Sequence, residues 1–377
     1  MKIVIAPDSF KESLTALEAA KAIEEGFSKI LPEADCVKVP MADGGEGTVQ
    51  SLVDATNGRM IEKVVTGPLG MPVQGFFGLL GYQKTAVIEM AAASGIHLVP
   101  KEKRNPLKTT SFGTGELILE ALNYGVEKII IGLGGSATND GGAGMVQALG
   151  ARLLNSKGEE IEFGGGSLSH LKKIDRTKMD SRLSQVKFIV ACDVDNPLLG
   201  EKGASAIFGP QKGATPEMVK TLDNNLAHFA KVIFNDLQKD VASIPGAGAA
   251  GGMGASILAF LPSELKRGID IVIQTLQLER HLENADLVIT GEGKIDGQTV
   301  YGKTPIGVAK LAKKNGIPVI GLAGLIADDT SEVIVEGIDA LFSIVPGAVS
   351  IDEAIANAYQ NLKLTSENIA RLLKIKC

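Results

Sequence analysis

The run at residues 2–39, KIVIAPDSFKESLTALEAAKAIEEGFSKILPEADCVKV, decides the fold. Residues 3–6 and 36–39 are short, nearly all apolar and of strand length, while 14–31 between them repeats apolar residues at helical spacing. A helical pattern over about 46–55 completes a βαβα order. The other end of the chain alternates in the same way. Apolar runs at 287–290, 319–323 and 341–345 predict strands, and 306–314, 331–336, 351–362 and 366–373 predict helices, with Pro318 and Pro346 marking strand edges. Five such strands, apolar on both faces, predict a parallel sheet covered on each side by crossover helices.

The middle of the chain reads as a second α/β region. Strands are expected at 73–80, 86–90, 128–131, 152–154 and 188–191, and helices at 115–123 and 216–238. The two ends, 1–66 and 280–377, are therefore expected to form one discontinuous domain and 67–279 an inserted α/β domain. Thr66-Gly67-Pro68 marks the first boundary, and the length of 377 residues suits two domains at ~100–200 residues each.

Composition narrows the function. The net charge of −6 and the lack of a long Lys/Arg run argue against a nucleic-acid partner. No stretch reaches the ~18 apolar residues of a membrane span, and the N-terminal apolar run reads as a strand rather than a leader. Cys36, Cys192 and Cys377 lack metal spacing and suit reduced thiols in a cytoplasmic protein. The four histidines show no HxxxH or HExxH pattern. The 45 glycines, bunched at 132–144, 164–166 and 246–254, call for tight turns or close approach to a ligand and favour an enzyme.

In an open parallel sheet, ligands bind beyond the carboxyl ends of the strands, where the strand order reverses. The residues expected there are APDSFKES (6–13), ADGGEGT (42–48) and GEGKID (291–296). Asp8, Lys11, Asp43, Glu292, Lys294 and Asp296 thereby converge, although Asp8, Ser13 and Asp43 would equally serve as helix caps. In the middle region IGLGGSATNDGGAG (131–144) passes from strand to helix, and its amides offer an anion cradle or tight packing. ACDVDNP (191–197) ends a strand with two carboxylates on one side, fit for a cation or for a self-capped turn.

Two familiar patterns lack their context. GAGAAG (246–251) matches GxGxxG but follows Pro245 rather than a strand. GQTVYGKT (297–304) matches the P-loop, yet it begins seven positions past the strand end expected at Thr290.

Taken in order, APDSFKESL (6–14), MADGGEGT (41–48), GGSATNDGG (134–142), ACDVDNPL (191–198) and TGEGKIDGQT (290–299) resemble the bacterial glycerate kinase family, across essentially the whole chain. The resemblance implies ATP and Mg²⁺, D-glycerate as acceptor and phosphoglycerate as product, with the 2-position favoured. It also implies a flavodoxin-like domain interrupted by a second α/β domain. On that footing Asp296 or Asp8 would accept the hydroxyl proton, Asp193 and Glu292 would hold Mg²⁺, and Lys11 and Lys294 would neutralise phosphate or carboxylate, with Asp43 beside them. Gly134, Gly135, Ser136, Thr138 and Asn139 would bind an anion across a cleft between the domains, and Lys303 would serve a phosphate. Which domain takes the nucleotide, and whether the chain forms a homodimer, stay open. A mevalonate- or homoserine-type kinase, using GLGGS (132–136) as its nucleotide loop in a different fold, is one alternative. A non-catalytic sugar-acid-binding protein is the other.

Overall fold

The computed structural model describes residues 1–81, 84–300 and 302–375. Two compact units divide the chain: residues 1–58 with 267–377, and residues 59–266. The first unit opens with β1 (Lys2–Ile5), a helix at Ala16–Ile30, β2 (Asp35–Lys38) and a helix at Thr48–Ala55. The second unit contributes β3 (Arg59–Thr66), β4 (Pro72–Leu79), β5 (Thr85–Glu89), β6 (Lys128–Gly132), β7 (Arg152–Leu154), β8 (Lys173–Asp175), β9 (Lys187–Ala191) and β10 (Ser263–Lys266). The chain then returns to the first unit with β11 (Leu287–Ile295), β12 (Val319–Ile326) and β13 (Ala340–Ser343).

The first sheet runs β13-β12-β11-β1-β2, with every neighbouring pair parallel. Numbered within the unit this is the order 2-1-3-4-5 of flavodoxin-like folds, whose switch point lies between the first and third strands, here β1 and β11. Ile3, Val4 and Ile5 are fully buried, as are Val288, Ile289 and Val319, so the apolar runs are the sheet's centre. The helix Ala16–Ile30 starts at a capping box, with Thr15 accepting from the Glu18 amide and Glu18 from that of Thr15. It buries Ala19, Ile23 and Phe27 and packs on the closing helix Ala358–Lys374. A Cβ on Gly26 would stand 2.4 Å from the Lys363 carbonyl, so these helices approach as closely as they do only with glycine there.

β11 is longer than its apolar run. Gly291, Glu292, Lys294 and Ile295 continue the ladder against Leu322, Ala323, Leu325 and Ile326, because β12 itself extends to Ile326 and offers them partners. Glu292 and Lys294 therefore sit on a strand, not in the loop expected after Thr290. This also removes the spacing objection to GQTVYGKT: the run begins two residues past Ile295 and ends on the first residue of the helix Thr304–Lys314. Its Tyr301, like Cys377, lies outside the described residues.

The second sheet runs β10-β9-β6-β5-β4-β3, parallel from β10 to β5 and antiparallel beyond. Both unit boundaries differ from those expected. Residues 59–66 pair with 72–79 along their whole length, which carries them into the second unit instead of the first. Residues 267–279 go the other way: a Cβ on Gly307 would meet Ile269 at 2.2 Å, and one on Gly268 would meet the Asp43 carbonyl at 2.0 Å. GAGAAG has no strand before it, and it leads into the helix Ala249–Phe260 through a kink at Ala250, Gly251 and Gly252, whose φ angles are all positive. Gly251 has φ +68° and its Cβ would fall 2.0 Å from the Thr138 carbonyl, so that glycine serves packing.

Candidate active site

Asp8 sits just past the end of β1, and its position is set by backbone. Ala6 N–H donates to the Ile289 carbonyl at 2.7 Å and Asp8 N–H to the Gly291 carbonyl at 2.8 Å, so the tip of β1 stays bonded to β11. The Asp8 carboxyl is 9% exposed. One oxygen accepts from the Thr304 hydroxyl at 2.5 Å and the other from the Ser9 amide at 2.6 Å. Burial and then repulsion from Asp43 lift its pKa to about 6, against the pull of those hydrogen bonds.

Glu292 lies on the neighbouring strand and is only partly exposed. Burial raises it to about 7, with smaller pushes from Asp8 and Asp43; the Lys303 cation and a 2.9 Å bond from the Thr299 hydroxyl act the other way. Asp43 accepts from the Gly45 amide at 2.9 Å. Lys303 Nζ stands 3.8 Å from carboxylate oxygens of both Glu292 and Asp296. Asp296 is different in kind: its bond to Lys294, 2.8 Å away, holds it below the usual carboxyl range. Lys294 is correspondingly raised by Asp296, and Lys11 is exposed. The first unit thus gathers Asp8, Asp43, Glu292, Asp296, Lys294 and Lys303 at one edge of its sheet. Thr304, which joins the helix start to Asp8, was not singled out from the sequence, since nothing in GKT announces a carboxylate partner.

The glycine-rich run of the second unit is organised otherwise than expected. The helix it enters, Ala143–Ala148, is short, and its first amides are already taken. Gly142 and Gly144 donate to the Asp140 carboxylate at 3.1 and 3.2 Å, and Met145 donates to the Ser111 hydroxyl at 3.0 Å. The chain supplies its own anion at the place where an external one was expected. Gly134 and Gly135 are exposed, whereas Ser136, Thr138 and Asn139 are buried.

Beneath that run lies Lys212, a residue that the sequence reading passed over. It is 1% exposed, and its ammonium donates to the Ser136 hydroxyl at 2.7 Å and the Thr138 carbonyl at 2.6 Å. Burial brings it down to about 7 against the attraction of Asp140. Thr138 Oγ1 and Asn139 Oδ1 are buried and find no hydrogen-bond partner among the described residues. Asp193, past the end of β9, is exposed, and it belongs to a different unit from Glu292. Among the described residues no group of three or more His, Cys, Asp or Glu side chains has metal-binding geometry. Among them, too, no helix is long and apolar enough to cross a membrane.

Comparison with known proteins supplies the class. The chain is 63% identical over 375 residues to a glycerate kinase of Bacillus subtilis, covering 100% of this chain and 98% of that one. It is 59% identical to the glycerate 2-kinase of Escherichia coli, with the same coverage. The crystal structure of a protein assigned as glycerate kinase 2 from Salmonella typhimurium superposes with a TM-score of 0.93 at 57% identity, over 99% of this chain and 98% of that one. A two-unit α/β phosphotransferase is therefore the class that fold and relatives define. The glycerate kinase family model matches residues 3–374, and the chain belongs to that family. The mevalonate-type alternative required a different fold around GLGGS, which this family match along residues 3–374 does not support.

Proposed function

We propose that the chain transfers the terminal phosphoryl group of ATP to the 2-hydroxyl of D-glycerate, with the chemistry at the carboxyl ends of β1 and β11. The observation that carries this reading is Asp8, a nearly buried carboxyl at the switch point whose pKa is lifted to about 6. Phosphoryl transfer needs positioning, charge neutralisation and a group to take the hydroxyl proton. A carboxyl poised close to neutrality suits that last task. Asp296, the other candidate base, is tied to Lys294 and held low, which favours Asp8.

Lys303 supplies a positive charge within 3.8 Å of both Glu292 and Asp296, at the start of a helix and the end of the P-loop-like run, and is our choice for the transferring phosphate. Lys294 and Lys11 add charge at the edge. Glu292 fits Mg²⁺: it is a carboxylate oxygen donor repelled by Asp8 and Asp43, and a hard cation relieves that repulsion. The ion would neutralise phosphate charge there. Asp193 is the oxygen donor that the second unit offers, and the exposed Gly134–Gly135 backbone, shaped by Ser136, Thr138 and Asn139 over Lys212, is its offer to an anion. Free thiols at Cys36 and Cys192 fit a reducing compartment, and we place the enzyme in the cytoplasm.

The 2-position is supported by the name of the Escherichia coli relative. Phosphorus NMR of the product tests it. Phosphate on carbon 2 couples to one proton and appears as a doublet, while phosphate on carbon 3 couples to two and appears as a triplet. A triplet, or ADP release with homoserine or mevalonate but not D-glycerate, defeats the reading.

A further inference from the structure

We infer that the first unit holds the adenosine part of ATP, in a cavity of about 540 Å³ lined by apolar side chains that include Phe10, Leu325, Ile344, Val345, Val349 and Ile351. The inference rests on the kinase reading above and names the seat of its donor. The volume falls within the ~300–1,000 Å³ typical of small-molecule pockets. The cavity is lined by Gly293, Gly324, Leu325 and Ser343 from the carboxyl-terminal parts of β11, β12 and β13, the end of the sheet at which this class of fold receives ligands.

Chain connectivity joins it to the carboxylates. Lys11 and Gly293 also line the cavity; Lys11 is three residues past Asp8, and Gly293 is the immediate neighbour of Glu292. A nucleoside seated here has its phosphates running past Gly293 towards Glu292 and Lys303. Of the two substrates, the nucleoside is the one that suits the lining. Glycerate carries a carboxylate and two hydroxyls on three carbons and has almost no apolar surface to bury, whereas a purine presents two flat faces.

Two further observations point to an occupant. Leu325, Val349 and Ile351 are 55%, 45% and 78% exposed, an apolar group left uncovered around one opening. Gly293 has no positive φ, and a Cβ on it would come no nearer than 3.4 Å to the backbone of Phe10 and Lys11. Gly347, also in the lining, would have nothing within 4 Å of its Cβ. Neither backbone geometry nor packing calls for glycine at these positions. Glycine inside a strand weakens it, so Gly293 is explained by the room it leaves for a ligand.

The test is equilibrium titration of the full chain with ADP, adenosine, inorganic tripolyphosphate and D-glycerate, for the wild type, Gly293→Ala and Ile351→Asp. Both variants are expected to fold: the alanine methyl has space, and an exposed carboxylate in the first turn of the helix Ile351–Ala356 is favourable there. Both should bind ADP and adenosine about tenfold more weakly, with tripolyphosphate and D-glycerate affinities unchanged. Wild-type ADP affinity in both variants, or a loss confined to D-glycerate, overturns the assignment. A wild-type chain that binds ADP and adenosine in this way but phosphorylates no glycerate overturns the proposed function and leaves the nucleoside site standing.

Discussion

The hydroxyl of Thr304 donates to Oδ2 of Asp8 across 2.5 Å, tying the first residue of a helix to the tip of the strand that precedes the chain's first turn. This bond opposes two stronger influences on Asp8, its burial and the charge of Asp43, and the carboxyl settles at about 6. Stability and catalysis therefore depend on the same group in opposite senses. The folded state disfavours the ionised form. Between the ordinary value near 3.8 and about 6, the unfolded chain has released the proton and the folded chain has not, so stability falls as pH rises through that window. The loss is roughly 3 kcal/mol at neutral pH. Asp8→Asn should raise the melting temperature by several degrees at pH 7.5 and leave it unchanged near pH 3.5. The same change should lower kcat by about 10²–10⁴-fold if Asp8 takes the proton. A variant with wild-type kcat removes Asp8 from the chemistry.

Thr304 and Asp43 push Asp8 in opposite directions, and that contrast is measurable. Removing the hydroxyl in Thr304→Val takes away a bond to the ionised form, so Asp8 should titrate higher and the acid limb of kcat/KM should move to higher pH. Asp43→Asn removes a repelling charge, so the limb should move to lower pH. Thr304→Ser should restore the wild-type profile. Shifts of the same sign in the Thr304→Val and Asp43→Asn variants would show that the limb reports some group other than Asp8.

How far the site was legible follows from where each residue gets its environment. β1, β6 and β9 were plain because strands buried on both faces must be apolar along their length, and the strand-end rule then led to Asp8 and Asp43. The second half of β11 was not legible. Gly-Glu-Gly-Lys breaks the apolar run, and only the extra length of β12 keeps it in the sheet. β3 escaped for a related reason: RMIEKVVT is an edge strand in which only Val65 is buried, so it shows neither a continuous apolar run nor a clean alternation. Lys212 could not have been found, because a lysine in GPQKG carries no local sign that tertiary packing will bury it.

Lys212 gives a pH signature of its own, with the reverse sign to Asp8. Burial brings its folded value down to about 7 from the ordinary 10.5. Between those values the unfolded chain holds the proton and the folded chain does not, so stability rises with pH across that window. In Lys212→Met the contribution disappears. Thermal melts at pH 7 and pH 9.5 should show the wild type gaining relative to the variant at the higher pH. Equal gains in both would mean that Lys212 keeps its charge when folded, held by partners such as Asp140.

Asp140 settles whether the glycine-rich run is an anion site occupied from within. Its buried carboxylate accepts from the Ser111 amide at 2.9 Å, the Ser111 hydroxyl at 2.8 Å, and the amides of Gly142 and Gly144. Asp140→Ala strands three backbone donors in a dry environment, where each unpaired group costs about 1–3 kcal/mol. The total, allowing for partial relaxation, should be on the order of 3–5 kcal/mol, read as a lower urea midpoint with an unchanged m-value. Added phosphate or sulfate should return part of that loss to the variant, because the freed amides still converge on one point. The wild type should gain less from the same salt, since its own carboxylate already fills the place. Equal gains in both would mean that the amides released by the substitution no longer point at a common centre, and that Asp140 builds the turn rather than occupying a cradle that exists without it.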